Sequence, residues 1–396
     1  MKKTETPKDI QDLLDQAKDL RQSLEDYEGM NLEDCLRLFS REDLVEMVRA
    51  NGYAVKTSLK KAELIEKLAV EINKRYRLYI DNMPLEEFYC LNTCMSNNEL
   101  DFTEELYVIG MPFFAQGFLF FLESDSGQDW KLIFPKEFMI LLLDETTEEN
   151  LELYVKRQLL CMVMRGLSSI YGVYPKEQLE NVWKHILREE KELLAEIEGQ
   201  TGDELDQFDA LFNWDSIEAV INSCIIFSQI GHTGFEFFAG YIMVDGLSEE
   251  RYYADILKAS QGKVYYLPPL SEIMYYAENE FDIDSKPYLQ LKEYFSKTDL
   301  DADEIEELMD ELCSIYTEDS GIRLAMEAID EAGVVFDSEK EIDAFLPMLS
   351  DLSNCTRKWV NKGYTPNELA AQNVAIPLRK PPVNNVIPFP THRIKK

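Results

Sequence analysis

Three histidines stand in 396 residues, at positions 185, 232 and 392. A zinc centre of His and Cys would have to be gathered from distant segments, and no triad partner accompanies any of them. His232, in Ile230-Gly231-His232-Thr233-Gly234, reads as a turn residue. No glycine-rich phosphate loop occurs, and Gly166-Leu167-Ser168-Ser169 lacks the second glycine of a nucleophile elbow. No apolar run approaches the roughly 20 residues of a membrane helix. Met1-Lys2-Lys3 leads into Thr, Glu, Pro and Asp rather than into a signal-peptide core. Seven cysteines, an odd count thinly spread, are no disulfide framework, and the Cys90/Cys94 pair has no second pair beside it. These absences predict a soluble, cytoplasmic, non-enzymatic protein with no catalytic residue, no metal, no cofactor and no membrane partner.

Acid is abundant: 75 Asp and Glu against 40 Lys and Arg give a net charge of −35. Such a balance repels nucleic acid and anionic membrane as a whole. Its distribution is uneven. Arg49 to Arg77 holds eight Lys or Arg against three Glu, and Arg357 to Lys396 holds eight against Glu368 alone. Two anion-facing stretches therefore sit on an acidic body.

Periodicity and punctuation predict a mostly α fold with small β-hairpins, of α+β class, in several units. An N-terminal amphipathic helix occupies residues 1–30, opened by Thr6-Pro7 and carried by Ile10, Leu13, Leu14, Ala17, Leu20 and Leu24. A helix–extended–helix unit follows over 31–75. Residues 80–199 read as a winged-helix-like unit. Gly117 to Leu122 and Trp130 to Phe134 flank Asp125-Ser126-Gly127 as a hairpin, and long helices are expected over Glu148–Ile170 and Lys176–Glu198. An acidic linker from Gly199 to Asp206 opens a second α+β unit, 200–285, with another hairpin element at Phe235–Val244. A helical C-terminal domain, 286–375, breaks near Asp299, Asp319 and Asp337. The tail 376–396 carries five prolines and basic residues and is expected to form neither regular helix nor central strand. Pro84, Pro135, Pro175 and Pro268 each introduce a helix whose first turn is expected to hold the proline and an acid.

Within 31–75, Ser40 with Asp43 reads as a helix cap, followed by Leu44, Val45 and Val48 and a stop at Asn51-Gly52. Tyr53 to Thr57 is extended, Ser58 caps the next helix, and Ala62, Leu64, Ile65 and Leu68 form its apolar face. Leu44, Val48, Leu64 and Leu68 should share one small core. Leu44, Val48, Gly52, Lys61-Ala62-Glu63-Leu64-Ile65 and Leu68 resemble the SAP and Rho-termination-factor N-terminal-like helix–extended–helix family. That resemblance implies a nucleic-acid-associated module whose second helix offers its first turn and lysines to phosphates. Carried over to this sequence, it implies that Lys56, Ser58, Lys60, Lys61 and Lys67 contact the DNA or RNA backbone. A helix start with unpaired N–H groups is suited to an anion.

Asn354 to Leu369 resembles a C-terminal box of uncharacterised bacterial proteins, some of which continue into a cysteine-rich metal-binding tail. No cysteine follows Cys355 here, so no metal is carried over. The box reads as structural, with Trp359 buried, Gly363 as a stop and Thr365-Pro366 as a new helix start. Asp299, Asp301 and Asp303 mimic a calcium loop, but its sixth position is Glu304 rather than Gly. Asp301 with Glu304 is a capping box. The expected function is nucleic-acid-associated or regulatory. The competing expectation is a protein–protein adaptor that binds through its acidic surface.

Overall fold

A computed structural model of the chain describes residues 30–96, 104–123, 130–196, 213–231, 233–249 and 252–372. The expectations for the N-terminal helix, the Gly199–Asp206 linker, His232 and the 376–396 tail lie outside the described residues. The protein is mostly helical with small antiparallel sheets, as its sequence predicts. Among the described residues no helix is long and apolar enough to cross a membrane. The chain divides into two compact units: Met1–Cys161 with Asp215–His232, and Met162–Trp214 with Thr233–Lys396.

The first unit opens with α1 (Leu32–Arg37), α2 (Arg41–Ala50) and α3 (Lys61–Asn82). Helices α4 (Leu85–Ser96) and α5 (Glu104–Gln116) follow, then the hairpin β1 (Phe120–Glu123) and β2 (Trp130–Ile133), and α6 (Lys136–Glu145). Phe120 pairs with Ile133 and Glu123 with Trp130, in the antiparallel hairpin the sequence predicts. Helix α3 organises this unit. Its Tyr76 stacks on Phe138 with ring centroids 3.9 Å apart, and its hydroxyl donates to the Phe138 carbonyl at 3.1 Å. Leu44, Val48, Leu64 and Leu68 do share a core. That core is not small and separate, because it runs on through Ile72, Tyr76 and Phe118 to Phe134 and Phe138. The physical reason is the length of α3, whose second half buries its aromatic face on the hairpin and α6.

The chain continues through α7 (Glu148–Tyr171), β3 (Val173–Pro175), α8 (Lys176–Glu196) and α9 (Trp214–Ser228). In the second unit β4 (Phe235–Phe238) and β5 (Tyr241–Val244) form the expected second hairpin. The turn between them, Ala239-Gly240, has φ of +52° and +86°, the two-residue geometry that twists with its strands. Strand β5 lies in the centre of a three-stranded antiparallel sheet of order β3-β5-β4. Next come α10 (Tyr252–Ala259) and α11 (Leu270–Glu278).

The C-terminal helices are α12 (Lys286–Phe295), α13 (Ala302–Thr317), α14 (Ile322–Glu331) and α15 (Glu339–Cys355). Their breaks fall at the three expected aspartates. Leu291, Phe295, Leu308, Leu312, Ile329 and Phe345 meet in their common core. The Asp301–Glu304 capping box is present, with Asp301 accepting from the Asp303 and Glu304 amides at 3.0 and 2.9 Å.

The prolines act one step earlier than the sequence predicts. Pro135 and Pro269 occupy the N-cap positions of α6 and α11, Pro84 and Pro175 directly precede α4 and α8, and Pro268 stands just before Pro269. None lies in the first helical turn. A proline has no N–H to leave unsatisfied and its fixed φ suits the extended cap residue. The expected acids are in place at Glu86, Glu137, Glu177 and Glu272.

Candidate nucleic-acid interface

The turn joining α2 to α3 is built from both ends. At the first, Ser40 and Asp43 close a reciprocal capping box, at 3.1 Å to the Asp43 amide and 2.9 Å to the Ser40 amide. That fixes the start of α2 and so the position of Arg41, whose guanidinium reaches across the crossing. It donates to the carbonyls of Thr57 at 2.6 Å and Leu59 at 3.2 Å. At the other end, Gly52 takes φ of +62°, and Arg75 from α3 donates to the Asn51 carbonyl at 2.8 Å while lying 4.6 Å from the Tyr53 ring. Tyr53 is buried and donates to the Gln116 carbonyl at 2.6 Å; burial pushes its hydroxyl pKa up. The crossing is therefore pinned by two arginines and a tyrosine.

The lysines that the family resemblance singles out do not behave alike. Lys56, Lys60 and Lys67 are exposed, and among the described residues none of the three makes an ion pair. Lys61 is turned back, donating to the Arg37 carbonyl at 2.9 Å. Ser58 is exposed but does not cap α3. The N-cap is Lys60, in extended conformation, and no side chain caps the helix. This corrects the expectation for Ser58: the crossing runs two residues further before the chain turns helical, so its hydroxyl falls short of the first-turn amides. Lys60 and Lys67 are seven residues apart, on one face and separated by about 10 Å along the axis. Glu63, in the first turn, and Glu66 are also exposed and reduce the local charge.

Arg41 and Arg75 carry no signal in the sequence that could assign them to this turn. Arg41 is simply the first residue after a cap, and Arg75 lies in the run of bases at the end of the patch. Their roles depend on α2 and α3 being packed together.

The C-terminal box treats its cations in the opposite way. Arg357 is 8 % exposed and makes four hydrogen bonds. Nε donates to Glu272 at 2.6 Å, Nη1 to the Gly363 carbonyl at 2.6 Å and to Glu368 at 3.1 Å, and Nη2 to Glu368 at 3.2 Å, while Nη2 also lies in ion-pair contact with Glu272. Burial opposes its charge, Glu272 and Glu368 overcome that penalty, and its pKa is raised. Lys358 likewise donates to the Tyr316 carbonyl at 2.9 Å and to Ser353 at 3.4 Å and forms an ion pair with Asp319 at 3.0 Å. Trp359 is only half-buried, not buried as its sequence predicts; its ring packs on Gly172 and its indole N–H donates to the Ser169 carbonyl at 2.9 Å. Thr365 and Glu368 form the predicted new helix start, opening α16 (Pro366–Ala371). This box is a structural clasp. Among the described residues no cluster of His, Cys, Asp and Glu could hold a metal ion. Comparison with known protein families, with curated proteins and with solved structures finds no match.

Proposed function

We propose that the first unit grips the phosphate backbone of DNA or RNA at the start of α3. One observation carries this reading: the α3 N-terminus has no side-chain cap and has Lys60 in the capping position, with exposed Lys56 and Lys67 nearby. Unpaired amides, a favourable dipole end and cations on a pinned turn suit a phosphate. The SAP-like resemblance supports the same assignment. The contacts are to backbone, so binding is insensitive to sequence and sensitive to salt. The role is non-enzymatic.

Combining Lys56→Ala, Lys60→Ala and Lys67→Ala should weaken binding equally across sequences. Each lost contact should lower the salt-dependence slope by roughly one on duplex DNA. Absence of binding to duplex and single-stranded DNA and RNA at about 50 mM salt, where such contacts are strongest, overturns the reading.

The order α5, β1, β2, α6 in the first unit keeps the helix, hairpin, helix grammar of the winged-helix-like reading of residues 80–199. In such a motif the helix preceding the hairpin reads bases. Neither α9 nor α5, which precedes the first hairpin, contains a Lys or Arg. Base reading is therefore not assigned to them. Helix α5 instead exposes Tyr107 and Val108, 44 % and 66 %, and this favours the adaptor as the second reading.

A further inference from the structure

The second unit contains an open groove of about 810 Å³. Its wall includes Tyr252 and Asp255 of α10, Lys263, Asp319 just beyond α13, and Pro366, the first residue of α16. Of its three cations, Lys258 is exposed at the rim and the other two are already committed. Lys358 is bound to Asp319, and Lys263 donates to the Val360 carbonyl at 2.6 Å and to Asn361 at 3.0 Å. Tyr252 donates to the Glu318 carbonyl at 3.0 Å, which ties α10 to the end of α13 at the groove.

From the groove, α13 runs back for about 24 Å. It contains no Lys or Arg and exposes Asp303, Glu304, Glu306, Glu307, Asp310 and Glu311. Among the described residues none of these six makes an ion pair. Crowding is felt at Asp310, where burial and the neighbouring Glu306 push the carboxyl pKa up. Across residues 299–351 there are eighteen Asp or Glu against Arg323 and Lys340. This is the strongest concentration of one sign in the described chain.

The chain that follows α16 has the complementary composition. Residues 373–396 contain Arg379, Lys380, Arg393, Lys395 and Lys396, no Asp or Glu, and prolines at 377, 381, 382, 388 and 390. Helix α16 is six residues long, so the stretch begins about 9 Å from a groove wall. An extended proline-rich chain covers about 3.1 Å per residue, enough to cross the groove and follow α13 along its length. Proline-rich chains also bind with little loss of conformational entropy, and Tyr252 offers one ring face on the groove wall.

We propose that residues 373–396 dock within their own chain, with the prolines in the groove beside Tyr252 and the basic residues along the acidic face of α13. The groove is then a receptor for a basic, proline-rich peptide. This does not depend on the nucleic-acid reading, since none of the residues belongs to the α3 turn.

The test uses the full chain. A zero-length carbodiimide reagent, applied to a mixture of isotope-labelled and unlabelled protein, should join Lys380, Lys395 or Lys396 to Asp255 or to α13 carboxylates within single chains. Trypsin should cut after Arg379 and Arg393 slowly. The cutting should accelerate by about threefold or more in Glu307→Lys/Glu311→Lys, in Asp255→Lys and at high salt, as expected when exposed ion pairs are lost. All three positions are exposed, so these variants keep the fold, and an unchanged rate of cutting after the buried Arg357 confirms it. Couplings scattered over other acidic helices, couplings only between labelled and unlabelled chains, or cutting rates unaffected by charge and salt would each overturn the proposal.

Discussion

The α3 turn and the C-terminal box are both short, basic and punctuated by glycine, yet they use their cations in opposite ways. In the box, Arg357 and Lys358 are buried, hydrogen-bonded and paired with carboxylates inside the fold. Around the turn, Lys56, Lys60 and Lys67 are exposed and make no ion pair among the described residues. A buried cation must be compensated inside the fold, because leaving it unpaired in low dielectric costs several kcal/mol. An exposed one is satisfied by water and remains available to a partner. Burial with compensation marks the clasp, and exposure without it leaves the lysines of the turn open to the proposed partner.

The largest effect that could break this comparison is expected at Arg357. Arg357→Ala leaves Glu272 and Glu368 facing each other with the guanidinium gone, and should cost about 3–5 kcal/mol in urea unfolding. A loss below about 1 kcal/mol, the scale of an exposed pair, would mean that the box is not a clasp.

Gly172 tests the same clasp from the other side. It has φ of +70°, and a Cβ there would lie 2.4 Å from the Trp359 ring. Gly172→Ala combines left-handed strain with overpacking and should cost about 2–4 kcal/mol, read by thermal or urea melting. A neutral result would show that Trp359 moves aside freely, and that the indole bond to Ser169 is not what seats the box.

Much of this architecture was legible in the residues, and the exceptions have physical causes. The four C-terminal helices were legible because local signals interrupt a strong 3.6-residue periodicity: Ser285, Asp301 and Ser338 cap three of them and Gly321 precedes the fourth. Both hairpins were legible because their strands are dense in aromatics and flank tight turns. The true start of α3 was not. Ser58 has the right chemistry for a cap, but it lies in a turn closed by the Leu59 amide on the Lys56 carbonyl. Arg41 holds the Thr57 and Leu59 carbonyls of that turn, and the helix begins only after Lys60. That contact spans residues distant in sequence. Lys61 is set apart from the other lysines for the same reason, since the Arg37 carbonyl reaches it only when α1 packs beside α3. Five lysines and serines thus looked equivalent in sequence, and packing separates them.

The two serines make the distinction between local and packed signals measurable. Ser40 caps α2 and Ser58 caps nothing. Ser40→Ala should cost about 1 kcal/mol, whereas Ser58→Ala should stay within about 0.5 kcal/mol of the parent. Equal losses in urea unfolding would place the α3 cap back at Ser58 and remove the open helix start.

The smallest effect is the most discriminating, because stability and binding should move in opposite directions. Lys60 has φ of −69° and ψ of 155°, the extended conformation of a helix cap, but its side chain cannot accept from the first-turn amides. Aspartate has the same backbone tolerance and can. Lys60→Asp should therefore stabilise α3 by about 0.5–1 kcal/mol, through a cap bond and a negative charge at the positive dipole end. The same carboxylate would occupy the site offered to phosphate and reverse the charge beside it. Nucleic-acid binding should fall by more than in Lys60→Ala, with a midpoint of unfolding shifted upward. If binding falls together with stability, the lysine is acting through the fold. If binding is unchanged while stability rises, the open start of α3 is a tolerated defect and the interface lies elsewhere.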